Sequence, residues 1–546
     1  MERLDCDVLI VGAGGAGCRA AYEAKRCNPA LKVLMVAAGR CRTGGSTNLV
    51  ASESLGINAP FDFMEDGDNP DIYYRDMLET GGGLSDPGLC RLIANEACGR
   101  VSELMRLGLQ FERDKNQGRI IQRKLSGCTK ARSLTCGGST GREITRVLRK
   151  ALTAIGVDVM ENTRVLDLIR DDHGSVRGAV AVRRETMLAI GAGAVILASG
   201  GAGRIFSRNV NPPTLEGDGW CMAYRAGARL VNLEFFQIGP AVFKPRMMFI
   251  IHSHMWRLHP RLRNALGQEF LPAYCPEGID SYVVMDLKAM SYPFSVRTDA
   301  KYVDIAMFKE ILAGRGTASG GVLFDVTHVA SDVLQERAPI TYHMLKKAGA
   351  DLSKQPIEIG LVVQNFNGGI LIDSDGFSGV DGLYAAGEIS GGVHGSDRPG
   401  GNNLIDCQVF GYRAGRAAAR YVSGLAKRDI KFRDDPKRYE LPSRRDAKII
   451  ARSAELFSTL LTIVRSKAGL QEVISFVHEK RGNSNFCVQN RLMLGALLAT
   501  AALTREESRG THYREDFPET NPQWSKRIVL TRGKAEEPRV DYLINP

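Results

Sequence analysis

The chain opens on a change of hydrophobic period. Val8 to Val11 are four consecutive apolar residues and read as a strand buried on both faces, while the alanine-rich stretch after Gly17 repeats at helical spacing. Between them, Gly12, Gly14 and Gly17 make G-x-G-x-x-G, the tight loop of a strand, turn and helix. Gly12 permits the turn, Gly14 lets a pyrophosphate approach the backbone, and Gly17 lets helix and strand pack. The helix N-terminus is therefore expected to hold the phosphates of a dinucleotide on backbone N–H groups. A second apolar strand, Lys32 to Val36, ends on Ala37 and Ala38, where a carboxylate for the ribose hydroxyls would normally stand. A third, in AVILASGGAGRIF at 194–206, stops on Gly200, Gly201 and Gly203 and leaves room for a bulky ligand.

Elsewhere the pattern predicts scaffold. Tyr73, Met77, Leu92, Ile93, Val101, Leu104 and Met105 recur at helical spacing within 71–113 and read as core positions. Ile144 to Ala154 reads as a further helix, and Gly156 to Arg170 as strand and turn. Gly44, Gly45, Ser46 and Thr47 form a small polar loop able to bring backbone donors against a flat ring system. The longest apolar run, Leu492 to Ala502, is too short to span a bilayer, is flanked by Arg491 and Arg505, and reads as a buried helix.

Composition adds limits rather than a function. The 546 residues, 44% hydrophobic and 24% charged, suit several ordinary globular domains. The formal charge of +11 is dispersed, with no aromatic-basic repeat, which argues for an anionic substrate or acidic partner and against nucleic acid. Twelve cysteines without any C-x-x-C, in a chain that enters its first strand without a leader, predict reduced thiols, no metal site or iron–sulfur cluster of its own, and a cytoplasmic setting.

Several separated motifs together carry a resemblance. Gly12 to Gly17, ASGGAGRIF at 198–206, GDG at 217–219, GLYAAGE at 382–388, HGSDRPGGNNL at 394–404 and ESRGTHYREDFP at 507–518 stand in the order found in the succinate dehydrogenase/fumarate reductase flavoprotein family, which the chain resembles over nearly its whole length. That family includes L-aspartate oxidase and the adenylylsulfate reductase flavoprotein. The resemblance implies an α/β fold: a Rossmann-like FAD-binding domain with an inserted α+β capping domain and a C-terminal helical domain. The expected division is an FAD-binding domain at 1–237 and 356–424, a cap at 238–355, a helical domain at 425–520 and a tail at 521–546. FAD contacts carry over to Gly12, Ala13, Gly14, Gly15, Ala16 and Gly17, to Ala37, to Gly45, Ser46 and Thr47, to Ser199, Gly200 and Gly201, and to Asp218, Glu388, Asn403 and Leu404. Glu388 ends a strand after Ala385, Ala386 and Gly387, where a carboxylate can hold ribitol hydroxyls. Family members with a covalent flavin carry a histidine beside the loop equivalent to 45–47; Ser46 here implies non-covalent FAD.

The substrate side departs from the family. Its His-Pro-Thr motif after a Gln corresponds to Gln237, Ile238, Gly239 and Pro240, so glycine replaces the histidine and is expected to open room above the ring. A second substrate histidine corresponds to Gln364, and the proton-shuttling arginine before G-R-G falls, without gaps, on Ile305. Arg398, the carboxylate-binding arginine, remains, and its planar fork suits an anion beside a flavin. Between Lys244 and Arg263 lie Lys244, Arg246, His252, His254, Arg257, His259, Arg261 and Arg263 without an acidic residue: a solvated basic face or, if it lines the cleft, a clamp for a polyanion. His254 is the preferred acid/base candidate, with Arg297 and Tyr274 in reserve. The expected function is hydride transfer between FAD and an anionic substrate, by reduction or desaturation of a carbon–carbon bond next to a carboxyl or thioester. Electrons would be exchanged with a separate iron–sulfur subunit, with no membrane span and any membrane association peripheral, through the complex. The alternatives are sulfur chemistry like that of adenylylsulfate reductase, an amino-acid oxidase, and a flavin relay without a substrate of its own.

Overall fold

A computed structural model of the chain describes all residues except 51–53, 65, 246–248, 252, 426–439, 441, 534–536 and 546. Strand Glu2–Val11 lies at the centre of a seven-stranded sheet. It pairs in parallel with Val33–Val36 on one side and Thr186–Leu197 on the other, and Leu383–Ala385 extends the parallel set. Val8, Leu9 and Ile10 have no exposed surface, as parallel strands covered on both faces require. Thr163–Arg170, Val176–Arg183 and Thr186–Leu197 form an antiparallel meander on the same sheet.

Helix Asn402–Ser423 docks on helix Gly15–Cys27 through glycines: a Cβ on Gly415 would lie 2.3 Å from the Ala20 carbonyl oxygen, and one on Gly411 would lie 2.8 Å from that of Ala16. This close approach welds the start of the chain to the stretch beyond 400, and Asn403 and Leu404 line the same cavity as Gly12 to Ala16.

Phe236–Lys244 and Ile357–Phe366 pair antiparallel and, with Val322–Asp325 and Arg261–Arg263, make a four-stranded sheet. Helices Ser281–Met290, Lys301–Leu312 and Pro339–Lys347 lie in the sequence between its two long strands. Ile305, on the second of these helices, is buried.

Helices Arg444–Leu460, Lys467–Lys480 and Phe486–Thr504 follow. Phe486–Thr504, which contains the apolar run, is the one described helix long and apolar enough to cross a membrane, yet it packs on the other two and on helix Asp218–Ala226. Two polar side chains pin it there: Asn490 Nδ2 donates to Asp218 Oδ1 at 2.8 Å and Arg491 Nε to Ser453 Oγ at 2.8 Å. Within 521–546, strands Lys526–Arg532 and Pro538–Ile544 pair with each other, and the first also pairs with Leu230–Val231.

Candidate cofactor and substrate site

A cavity of about 560 Å³ begins at the first turn of helix Gly15–Cys27 and extends to the cap, within the size range of small-molecule and cofactor sites. The helix has Gly14 as its N-cap, which has no side chain to cap its first amides, and no acidic residue in its first turn. Its positive end is thus left open toward the cavity, as an anion site requires. The Gly15 N–H donates to Thr47 Oγ1 at 3.0 Å, which fastens the 45–47 loop to the phosphate turn. Gly12 has φ of +114°, and a Cβ there would lie 2.3 Å from the Ala198 carbonyl oxygen. Gly12 to Ala16, Ala37, Gly45 to Thr47, Ser199, Gly200, Asp218, Glu388, Asn403 and Leu404 all line this space.

Two of the expected contacts stand outside the lining. Gly17 is a packing residue, since a Cβ there would sit 1.9 Å from the Gly12 carbonyl oxygen. Gly201 clears space for a neighbour: its Cβ would lie 2.6 Å from Glu388 Oε1. Burial pushes the Glu388 carboxyl up to about 7, against the backbone N–H groups of Phe366, at 3.2 Å, and Gly201, and against the charge of Arg398. Asp218 faces the cavity with one oxygen on Arg164 Nε at 2.8 Å and the other on Asn490. Arg164, also in the lining, is the cation this arrangement holds, and no local motif announced it.

At the cap end, Arg398 is 7% exposed. Its Nη2 donates to Gln237 Oε1 at 2.7 Å and its Nη1 to the Pro399 carbonyl at 2.8 Å, while its buried Nε has no protein partner. Burial lowers its pKa to about 10, which leaves it a cation at neutral pH. Gln237 in turn donates from Nε2 to Asp397 Oδ1 at 3.2 Å, so the guanidinium is fixed through an amide to a buried carboxylate. Burial pushes the Asp397 carboxyl up; the charge of Arg297 and the Arg398 backbone N–H oppose it.

Gln364 reaches the cavity by a β-bulge. Gln237 faces Asn365 and Ile238 faces Val363, so Gln364 has no opposite residue, and such an extra residue bends the strand and re-aims its side chain. Its buried Oε1 lacks a protein partner. Asn365, missed from sequence, lines the cavity beside it and accepts from Asn403 Nδ2 at 2.6 Å. The position just after a bulge has no signature in a single sequence.

Other expectations about the cap are corrected. None of the described residues of the basic run lines the cavity; that segment contributes Phe249 and Ile250 instead. Lys244 pairs with Glu358 at 3.5 Å, His259 with Asp286 at 2.7 Å and Arg263 with Asp325 at 3.5 Å, while Arg257 and Arg261 are exposed. Arg246 and His252 lie outside the described residues. His254, in the turn Ser253–Leu258, is part-buried and outside the lining. Tyr274 is engaged elsewhere, donating to Glu310 Oε1 at 2.7 Å. Arg297 is outside the lining as well, close to Asp397 and 4.0 Å from Glu79. Nor is the space at Gly239 open: a Cβ there would lie 2.5 Å from the hydroxyl oxygen of Tyr292, which fills it from the cap.

The donors in this wall fit FAD. The helix N-terminus, with no acidic residue in its first turn, would hold the diphosphate, Glu388 offers an acceptor for hydroxyls, and the Ser46 hydroxyl is buried without a protein partner. Comparison with known proteins agrees. The FAD binding domain family matches residues 7–404, and the fumarate reductase flavoprotein C-terminal family matches 484–544. A fumarate reductase (CoM/CoB) subunit of Methanothermobacter marburgensis is 34% identical over 97% of this chain and 98% of its own. The L-aspartate oxidase of Caulobacter vibrioides is 29% identical over 98% of this chain and 97% of its own. Among solved structures, Mycobacterium smegmatis Sdh1 in complex with UQ1 superposes with a TM-score of 0.87 at 30% identity, covering 100% of this chain and 95% of that one. The chain therefore belongs to the fumarate reductase/succinate dehydrogenase flavoprotein family of FAD-dependent oxidoreductases.

Proposed function

We propose that this flavoprotein reduces the carbon–carbon double bond of a short unsaturated carboxylate, with electrons delivered by a separate iron–sulfur protein. The observation that carries this reading is Arg398: a buried guanidinium in the cavity wall, gripped by Gln237, whose Nε–H has no protein partner. Such a group binds a carboxylate with a charge-assisted hydrogen bond. Gln364 supports it with a neutral amide at the same wall, able to accept from or donate to the substrate without titrating. Non-covalent FAD, held along Gly12 to Ala16, Gly45 to Thr47 and Glu388, would supply the two-electron chemistry. Ser46 in the loop, and a lining without histidine among the described residues, support the non-covalent state.

The relative from M. marburgensis is named a fumarate reductase and one subunit of it, which supports both the substrate class and the electron-delivering partner. The sulfur-chemistry alternative leaned on the basic cap run, whose described residues stand away from the cavity, and it loses that support. A polyanion or a much bulkier acid is disfavoured for the same reason and because Tyr292 fills the space at Gly239.

The test is anaerobic reoxidation. Holo-protein reduced with dithionite is mixed with fumarate, crotonate and acrylate, and flavin absorbance is followed. Reoxidation by at least one of them is expected, together with a loss of about a hundredfold or more in Arg398→Gln, since an unpaired substrate charge is left in a buried site. A flavin that none of these acids reoxidises overturns the reading.

A further inference from the structure

The cap turns from polar to apolar along one strand. Gln237, near the start of Phe236–Lys244, holds Arg398. Further on, residues 249–251 run along the edge of the same strand: Val242 N–H donates to the Phe249 carbonyl at 2.8 Å and Ile251 N–H to the Pro240 carbonyl at 2.9 Å. Ile250 thereby stands opposite Ala241, four residues and about 13 Å of strand from the grip on Arg398. Phe249 and Ile250 both line the cavity.

The rest of the cap's contribution has the same chemistry. Ile340 and Met344, one turn apart on a single face of helix Pro339–Lys347, line the cavity together with Thr341. Leu49, from the FAD-binding side, joins them; it is 53% exposed and Ile340 52%, so the apolar lining runs out to the mouth. Apolar surface left open in a cavity wall marks a place for a ligand. Among the described residues, the cap thus adds four apolar side chains and one hydroxyl to the cavity, and no charge. None of the four is among the residues assigned to FAD. The arginines of the lining other than Arg398 are placed elsewhere: Arg164 is held by Asp218 and Glu216, and Arg40 is exposed beyond strand Val33–Val36.

We propose that this apolar roof is the subsite for the far end of the substrate: the acid is a monocarboxylate whose double bond carries a short alkyl group, with its carboxylate on Arg398 and its alkyl group against Phe249 and Ile250. This assignment rests on the reading of Arg398 as the anion site and narrows the substrate from unsaturated carboxylates in general to alkyl-substituted ones. A second carboxylate in the same place would give up water against two hydrocarbon side chains, a cost that an alkyl group does not meet. The alkyl group instead gains by leaving water.

Saturated acids probe the subsite free of the differing reactivity of double bonds. Oxidised holo-protein is titrated with propionate, butyrate, pentanoate and succinate, and dissociation constants are taken from the change in flavin absorbance. Affinity is expected to rise about fourfold for each methylene buried, from propionate to pentanoate, and succinate to bind roughly tenfold or more weakly than butyrate. Ile250→Asn, with its FAD content recorded, is expected to flatten the series, while Arg398→Gln weakens every member alike. If Ile250→Asn fails to hold FAD, the wild-type series alone decides. A wild-type series that does not rise with chain length, succinate binding as tightly as butyrate, or a slope that survives in flavin-bearing Ile250→Asn overturns the apolar subsite and leaves Arg398 as the anion site. A series that Arg398→Gln leaves intact, or a flavin that no acid perturbs, overturns the reading of Arg398 and this inference with it.

Discussion

Glu388 should couple FAD binding to pH. Its carboxyl is pushed up to about 7 by burial, so below neutrality it holds a proton. Hydrogen bonds from ligand hydroxyls favour the charged acceptor, so binding should expel that proton. The sign follows: affinity for FAD is weak below pH 7, rises by about tenfold per pH unit toward it, and levels off above it, one proton being released per FAD bound below pH 7 and none above. Glu388→Gln keeps the shape and removes the charge. At pH 8 it should bind FAD about tenfold more weakly, the difference between a charged and a neutral acceptor being roughly 1 to 1.5 kcal/mol. Its affinity should also no longer vary between pH 6 and 8. Titration of deflavinated protein with FAD at pH 6, 7 and 8, followed by flavin fluorescence, measures both effects. Wild-type affinity that is flat across this range refutes the coupling, and a slope that survives in Glu388→Gln assigns the proton to another group.

Three further outcomes follow from the same geometry. Gly17→Ala forces a Cβ to within 1.9 Å of the Gly12 carbonyl oxygen, so the protein should purify nearly colourless, with an FAD-to-protein ratio that wild type exceeds severalfold; normal flavin content would show that helix and strand can separate without cost. Arg505→Met leaves Glu234 buried without its partner at 2.8 Å and should destabilise the fold by about 3–5 kcal/mol, read as a lower denaturation midpoint; a wild-type midpoint would make the pair dispensable. Trichloroacetic acid should release the yellow colour completely into the supernatant, since Ser46 offers no ring nitrogen for a covalent bond to the flavin, whereas colour retained in the pellet would contradict non-covalent binding.

Local chemistry was readable and long-range pairing was not. The strand, glycine turn and helix at residues 7–24 are dictated by neighbours in the chain, because the turn, the close packing of Gly17 on Gly12 and the open helix end all arise within a dozen residues. Glu388 and Arg398 were named through the resemblance, from the motifs GLYAAGE at 382–388 and HGSDRPGGNNL at 394–404, and for Glu388 the strand end before it gave local support. The basic cap run misleads because charge counted along a chain ignores partners brought in by folding. Glu358 and Asp325 belong to neighbouring strands of the cap sheet and Asp286 to a helix, and each holds the side chain of one member of the run. Gly239 misleads in the opposite way: deletion of a side chain implies space only if nothing else arrives, and Tyr292 arrives from a separate segment.

The C-terminal motif shows what such long-range contacts do for the site. Residues 507–518 form no part of the cavity lining, yet the Thr511 N–H donates to the Ser396 carbonyl at 3.0 Å and the Val296 N–H to the Gly510 carbonyl at 2.8 Å. A Cβ on Gly510 would lie 2.3 Å from the Ser396 carbonyl oxygen, so the contact is backbone against backbone and leaves no slack. Ser396 is two residues from Arg398, and Val296 stands next to Arg297 in the segment that delivers Tyr292. The end of the chain therefore clamps the loop that carries Arg398 to the neighbouring segment of the cap. A buried guanidinium discriminates between anions only while its own position is fixed. The buried arginines of this region carry that rigidity: Arg505 binds Glu234 and Glu507, and Arg514 binds Asp516 and three backbone carbonyls. Distant positioning of this kind, rather than any residue of the lining, explains why the motif at 507–518 accompanies the flavin motifs in one chain.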